Sequence, residues 1–362
     1  MSLRVAIVGT GLIGASIGLA ARAAGATVCG WDPDAAALGL AGELGAVEPA
    51  SSLEDALAGA ELAVVAAPIG VLPATVQAVL AAAGEETTVT DVGSTKAAVC
   101  DAAAASSRFV GGHPIAGLEA RGPGAAKADL FRGATWFLAP LAATDPDRYR
   151  AVHGFVASLG ATPVAIDPVA HDALVAMTSH VPHVLANVVV NQAGANRVEG
   201  HEPLAHAGGS LRDMTRVAGA NPRIWVDIFL DNAEPVRAAL AEHRRRIEQV
   251  EAALESGDAG FLARWIGEAS ANRRRMLERE YPPGALQRLR VHVPDRPGVL
   301  AGITQALGAE RINIEDFELH HVSPERGGTL TVLVAGEGEA QRAAEILEAQ
   351  GYGVVVSAVI GA

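Results

Sequence analysis

"VAIVGTGLIGASIG", residues 5–18, sets an apolar run of Val, Ala and Ile against three glycines, Gly9, Gly11 and Gly14, in the spacing G-x-G-x-x-G. The run before Gly9 reads as a strand and the run after Gly11 as a helix. In that order Gly9 permits a tight turn, Gly11 lets the backbone approach a pyrophosphate, and Gly14 lets helix and strand pack closely. The backbone N–H groups of Leu12 and Ile13, at the opening of the helix, then face the phosphates together with the positive end of the helix dipole. The next strand-like run, "TVCGWD", ends in Asp32. A carboxylate there accepts hydrogen bonds from a ribose 2′-OH and repels a 2′-phosphate, so the stretch predicts binding of NAD in preference to NADP. A glycine-rich turn without a ligand is the bland alternative, and strand, helix and acid together weigh against it.

Working outward, further strand-like runs alternate with alanine-rich helical stretches: "RVAIVG", "TVCGWD", "LAVVAAP", "TTVTDV", "RFVGGH", "ATWFLAP" and "TPVAID". Such alternation predicts an α/β domain, a Rossmann-like doubly wound parallel sheet, over residues 1–167. After "DPVAHD" the strands stop, and residues 168–280 read as an all-helical domain. Within it Val236, Leu240, Ile247, Val250 and Leu254 recur along one helical seam, which needs a partner helix from this chain or from a second copy. Pro282, Pro283 and Gly284 then punctuate the chain. From there to residue 362 the order becomes β-α-β-β-α-β, so residues 286–362 are expected to form a ferredoxin-like domain.

Composition narrows the function classes. The 362 residues carry a formal charge of -13, which disfavours nucleic acid and anionic membranes as partners. No uninterrupted apolar run reaches membrane-spanning length, and the N-terminal "MSLRVAIVG" enters a strand without the pattern of an export signal. The expectation is a cytoplasmic chain with no membrane segment. Cys29 and Cys100 stand far apart without ligand companions and read as reduced thiols.

Two strand ends carry candidate chemistry. "RFVGGHPIAG" places His113 at the end of a strand, where ligands of parallel sheets bind. "TDVGSTK" places Ser94 and Lys96 at the start of a following helix, and Ser94 is equally well an ordinary N-cap. Beside a nicotinamide, Ser94 and His113 together would make a hydride-transfer site. His180 and His183 in "SHVPH" lack a recognisable third and fourth ligand, so no metal site is expected. Pro182 between them frees the Thr178 carbonyl and should distort the helix locally.

Taken together, "GTGLIGAS", "DVGSTK", "GGHPIAGLE", "MTSHVPH" and "LRDMTRVAGANPRIWVDIFLDN" resemble the bacterial prephenate/arogenate dehydrogenases of tyrosine biosynthesis, over residues 3 to about 280. "VPDRPGVL" and "INIEDFEL" resemble an ACT domain, a small amino-acid-binding module. The first resemblance implies NAD-dependent oxidative decarboxylation of prephenate, or of arogenate, which differs in carrying an amino group for the keto group. It implies that His113 accepts the C4-hydroxyl proton, that Ser94 hydrogen-bonds the same hydroxyl and orients the imidazole, and that Arg216 binds a substrate carboxylate. His183 matches another substrate-site position. Glu119 matches an acid at the cleft entrance, with a solvated surface acid as the competing reading; Arg212 reads as helix decoration. A homodimer through the helical domain is likewise implied.

The ACT resemblance implies that Asp295, Gly298 and Asn313 hold an amino acid, although Asp295 and Asn313 also suit ordinary turns. Tyrosine, the end product, is the expected ligand and inhibitor. Two rival readings compete with this one. A β-hydroxyacid dehydrogenase resembles this plan but uses a lysine of its second domain, and the only lysines here are Lys96 and Lys127. A non-catalytic NAD-binding amino-acid sensor would have no need for Ser94, His113 and Arg216 together.

Overall fold

The computed structural model describes residues 2–117, 120–280, 285–294, 296, 298–323 and 327–358. The chain divides into two compact units, Met1–Arg245 and Arg246–Ala362. In the first, eight strands form one sheet: β1 (Arg4–Val8), β2 (Thr27–Trp31), β3 (Glu48–Pro49), β4 (Leu62–Val65), β5 (Thr88–Asp91), β6 (Phe109–Pro114), β7 (Thr135–Pro140) and β8 (Thr162–Ala165). Their spatial order is 3-2-1-4-5-6-7-8, with the order reversing between β1 and β4. That reversal opens the crevice in which doubly wound sheets bind ligands. The connecting helices are α1 (Leu12–Ala23), α2 (Ala35–Glu43), α3 (Leu53–Leu57), α4 (Leu72–Ala82), α5 (Ala97–Ala102) and α6 (Pro146–Ser158).

The central strands read as unbroken apolar runs because both faces are covered. Val5–Val8 and Leu62–Val65 are buried throughout. Val5 and Ile7 pack with Ala15 and Ile17 of α1 on one face, while Ala6 and Val8 pack with Leu72, Val76 and Val79 of α4 on the other. Each such Val, Leu or Ile contributes about 1.5–3 kcal/mol relative to exposure, so the strand carrying the glycine turn is anchored from both sides.

The sheet departs from the parallel expectation at one edge. β7 pairs antiparallel to β6, and β8 runs parallel to β7. Among the described residues, the β6–β7 connection holds only the short turn Pro123–Ala125. The connection, residues 115–134, is long enough for a crossover, but a parallel pair is usually joined by a helix packed across the sheet, and the described residues hold no α-helix there.

Helices follow: α7 (Pro168–Val175), a π-helical turn (Ala176–His180), α8 (Val181–Ala195), α9 (Gly209–Thr215), α10 (Pro222–Asp231) and α11 (Ala233–Ser256). The π turn immediately precedes Pro182, where the missing N–H leaves the Thr178 carbonyl without its usual partner. The run Pro168–Ala195 is long and apolar enough to cross a membrane by composition alone. Yet His171, Asp172 and His180 along it are buried and hydrogen-bonded within the first unit.

The second unit contains α12 (Ala259–Glu280), β9 (Leu286–Val293), α13 (Val299–Ala309), β10 (Asp316–Ser323), β11 (Gly327–Ala335), α14 (Glu337–Ala349) and β12 (Gly353–Ala358). The sheet order is β10-β11-β9-β12, all antiparallel. Leu289, Val291, Val332 and Val334 face Ile303 and Leu307 of α13 and Ala343 and Leu347 of α14 in one core. The β-α-β-β-α-β order is therefore present.

Candidate active site

The glycine turn is built by close approach. Gly9 has φ +97°, in the left-handed region, and a Cβ there would lie 2.4 Å from the Ala66 carbonyl oxygen. A Cβ at Gly14 would lie 1.9 Å from the Gly9 oxygen, whereas one at Gly11 would meet nothing within 4 Å. Gly14 thus lets α1 sit against β1 and its turn, Gly9 lets that turn approach the end of β4, and Gly11 faces open space. Leu12 and Ile13 open α1 directly behind it.

Asp32 lies just beyond the end of β2. Its Oδ2 accepts from the Thr10 backbone N–H at 2.6 Å and its Oδ1 from the Asp34 N–H at 2.8 Å. An ionised carboxylate offers about four acceptor sites, so capacity remains for a ribose hydroxyl. Open space over Gly11, a helix N-terminus and an anchored acid fit a dinucleotide.

At the carboxyl ends of β5 and β6 lies a second cluster. A Cβ on Gly112 would come within 2.5 Å of the Asp91 carbonyl oxygen, which explains the small residue before His113. Asp91 Oδ1 accepts from the Gly112 N–H at 3.0 Å and Oδ2 from the Gly93 N–H at 2.7 Å. Lys96, wholly buried, forms an ion pair with Asp91 Oδ2. A buried pair of this kind is tolerated only when its remaining donors and acceptors are also met, as those of Asp91 are here.

The His113 imidazole is backed by a chain of hydrogen bonds. Its Nδ1 lies 2.9 Å from His171 Nε2, and His171 Nδ1 lies 2.8 Å from Asp172 Oδ1. Asp172 also accepts from the backbone N–H groups of Lys96 at 2.7 Å and Ala97 at 2.8 Å. Burial alone would raise the Asp172 carboxyl; the hydrogen bonds from His171, Ala97 and Lys96 outweigh it and hold the group below the ordinary aspartate value. Asn232 completes the cluster by donating to the Asp172 carbonyl at 2.9 Å and pairing with His180 Nδ1 at 3.0 Å.

Electrostatics keeps these histidines neutral. Desolvation by burial, and with it the Lys96 charge, holds His113 well below the usual 6.5. Burial brings His180 down to about 4. Burial and the Arg216 guanidinium lower His183, whose ring stacks on Trp225 with centroids 3.5 Å apart. A neutral His113 is free to accept a proton near pH 7.

Several expected residues sit differently from their sequence reading. α5 begins at Ala97 with Lys96 in the capping position, so Ser94 is not the N-cap; the Asp172 carboxylate takes that role from another helix. Ser94 is half-buried and makes no hydrogen bond among the described residues, and the imidazole is oriented through His171 rather than Ser94. Arg216 is exposed beside His183. Glu119 and Asp295 lie outside the described residues. Gly298 takes the left-handed conformation at the start of α13, and the exposed Asn313 donates to Glu315 at 2.9 Å.

His171, Asp172, Asn232 and Trp225 escaped the sequence reading. A visible hint existed in "AHDAL", an adjacent His-Asp pair just inside a helix that Asp167 caps through the Val169 and Ala170 N–H groups. Two adjacent polar residues inside an otherwise apolar helix need buried partners.

Comparison with known proteins adds an independent line. Residues 17–165 match the family model described as "Prephenate dehydrogenase, nucleotide-binding domain", and residues 167–268 match "Prephenate dehydrogenase, dimerization domain". Residues 287–351 match an ACT domain. A prephenate dehydrogenase of Bacillus subtilis is 32% identical over 358 residues, covering 96% of each chain. The crystal structure of Aquifex aeolicus prephenate dehydrogenase in complex with hydroxyphenyl propionate and NAD+ superposes with a TM-score of 0.72 at 27% identity, covering 76% of this chain and 99% of that one. Synechocystis arogenate dehydrogenase gives 0.69 at 27% identity, covering 76% of this chain and all of the other.

Proposed function

Because the chain belongs to the prephenate dehydrogenase family, we propose that it catalyses the NAD-dependent oxidative decarboxylation of prephenate to 4-hydroxyphenylpyruvate. The observation that carries this reading is His113, a neutral imidazole at the carboxyl end of the sheet, in the same unit as a turn shaped for a dinucleotide. NAD, when bound, accepts the hydride from C4. His113 takes the hydroxyl proton as C4 becomes a carbonyl carbon, which removes the charge problem of oxidising an alcohol. The electron pair of the C1–carboxylate bond then enters the ring as carbon dioxide leaves, and the phenolic oxygen regains a proton. Ser94, with its hydroxyl uncommitted, donates to the reacting oxygen. Arg216, with His183 beside it, binds the side-chain carboxylate, since a planar guanidinium offers two parallel donors.

Asp32 selects NAD over NADP through its ribose contact and its charge. Incubating the protein with prephenate and NAD should produce absorbance near 340 nm together with carbon dioxide, and NADP should be a poor substitute. Absence of turnover with both prephenate and arogenate would overturn the reading; turnover of arogenate alone would move it to the amino analogue.

We also assign the ACT domain, residues 286–362, a regulatory role, with tyrosine as ligand and Gly298 and Asn313, together with Asp295, as its contacts. Tyrosine inhibits through that domain only if it binds one state of the enzyme better than another, a coupling of typically 1–3 kcal/mol. Inhibition of the full chain should persist at saturating substrate, because product-like competition at the active site is removed there. Complete relief by substrate would reduce tyrosine to an active-site competitor. The active form is a homodimer: Ile247 and Leu254 of the α11 seam are exposed in the single chain, as a self-pairing surface requires.

A further inference from the structure

We infer that His171 and Asp172 are positioning residues that fix the tautomer of His113, leaving its Nε2 as the bare nitrogen that meets the substrate hydroxyl. The inference rests on the reading of His113 as the base.

Asp172 is engaged from two sides by backbone donors, Lys96 N–H at Oδ1 and Ala97 N–H at Oδ2. An ionised carboxylate has no proton to give, so the contact at 2.8 Å requires His171 Nδ1 to donate. A neutral imidazole carries one proton. In the inferred arrangement both rings are neutral, so with the His171 proton on Nδ1 its Nε2 accepts and the contact at 2.9 Å has His113 Nδ1 donating; a proton on both His171 nitrogens would reverse that bond. The proton of a neutral His113 is thereby placed on the nitrogen facing away from the substrate, and Nε2 is left with a lone pair.

The same chain fixes ring direction. His171 is wholly buried and the Phe137 ring stands edge-on to it with centroids 5.5 Å apart. Asn232 holds the Asp172 carbonyl from a third side. The ionisable groups around the pair are His113 on β6, Asp91 and Lys96 at the β5–α5 junction, Cys100 on α5 and His180 in the π turn. When His113 is protonated in the reaction, its Nδ1–H stays on His171, and the Asp172 charge faces the new imidazolium through one ring. A carboxylate behind a histidine serves this purpose in the serine hydrolase triad, where wrong-tautomer variants lose most of their activity. Here the carboxylate acts through a second imidazole, its chain neighbour on α7, which lets it stay buried while it caps α5.

Two experiments on the full-length chain test this. In protein labelled with 15N on histidine, long-range 15N–1H correlation spectra near pH 8 should show both His113 and His171 as the Nδ1–H tautomer. Finding His113 protonated on Nε2 would overturn the inference. Kinetically, His171→Phe keeps a flat ring but removes the acceptor, whereas His171→Gln keeps an acceptor for the His113 proton. His171→Phe should lower kcat by about 10- to 100-fold with KM changed by less than about 3-fold, and His171→Gln should recover most of the loss. Equal losses in both variants, or a rise in KM without a fall in kcat, would assign His171 a merely structural role. If His171→Phe fails to fold, the tautomer measurement on the unmodified chain still decides. If the unmodified chain turns over neither prephenate nor arogenate, the functional reading fails while the tautomer result stands on its own.

Discussion

Replacing His113 by Asn is expected to lower kcat by about 10²- to 10⁴-fold while leaving NAD binding nearly intact. The asparagine amide occupies roughly the place of Nδ1, so it still donates to His171 Nε2 and the backing chain of Asp172 remains closed. What disappears is the lone pair on the far nitrogen. The wild-type pH profile should corroborate this. Desolvation by burial, with the Lys96 charge beside it, pushes the His113 imidazole well below 6.5, so its base form is fully populated at pH 7. Lowering the pH protonates it only well below that value, and kcat/KM should fall there and not between pH 6.5 and 7. In His113→Asn that acid limb should vanish. A variant retaining more than a tenth of the wild-type kcat would remove His113 from the chemistry.

Replacing Arg216 by Ala should raise the KM for prephenate by about 10- to 150-fold, which corresponds to a charge-assisted carboxylate contact of about 1.5–3 kcal/mol. Because the interaction is made equally before and during the reaction, kcat should change far less than KM. A second readout comes from His183. Its imidazole is lowered by burial and, after that, by the Arg216 charge, so the variant should show His183 titrating at a higher pH than in the wild type. The two readouts are independent of each other. A shift of His183 without a change in KM would keep Arg216 in place as a neighbour but move the carboxylate site elsewhere, with Arg212 the next candidate.

What can be read without a structure depends on how far apart in the chain the interacting groups lie. The turn from Gly9 to Gly14 is local: its spacing, its flanking apolar runs and Asp32 at the end of the next strand all follow from contacts within a few dozen residues. The π turn before Pro182 is local too, since a missing N–H acts on the carbonyl four residues back. His113 was recognisable because a strand end in a parallel sheet is a place, not merely a residue type. The direction of β7 was not, since alternation of side chains looks the same read forwards or backwards. The connection after β6, residues 115–134, holds no α-helix among its described residues, as an antiparallel return allows.

The sequence by itself therefore determined the α/β plan, the dinucleotide turn and the β-α-β-β-α-β order of the second unit, all products of short-range stereochemistry and periodicity; it also put His113 at a strand end, where the family resemblance gives it a role. Tertiary structure alone decided what stands behind that imidazole. His171 comes from α7, 58 positions further along the chain, and Asp172 caps α5 from 75 and 76 positions away. No local propensity signals such partners. They are selected because a buried carboxylate and the open N–H groups of a helix start must each find a hydrogen bond once water is excluded, and folding brings the two together.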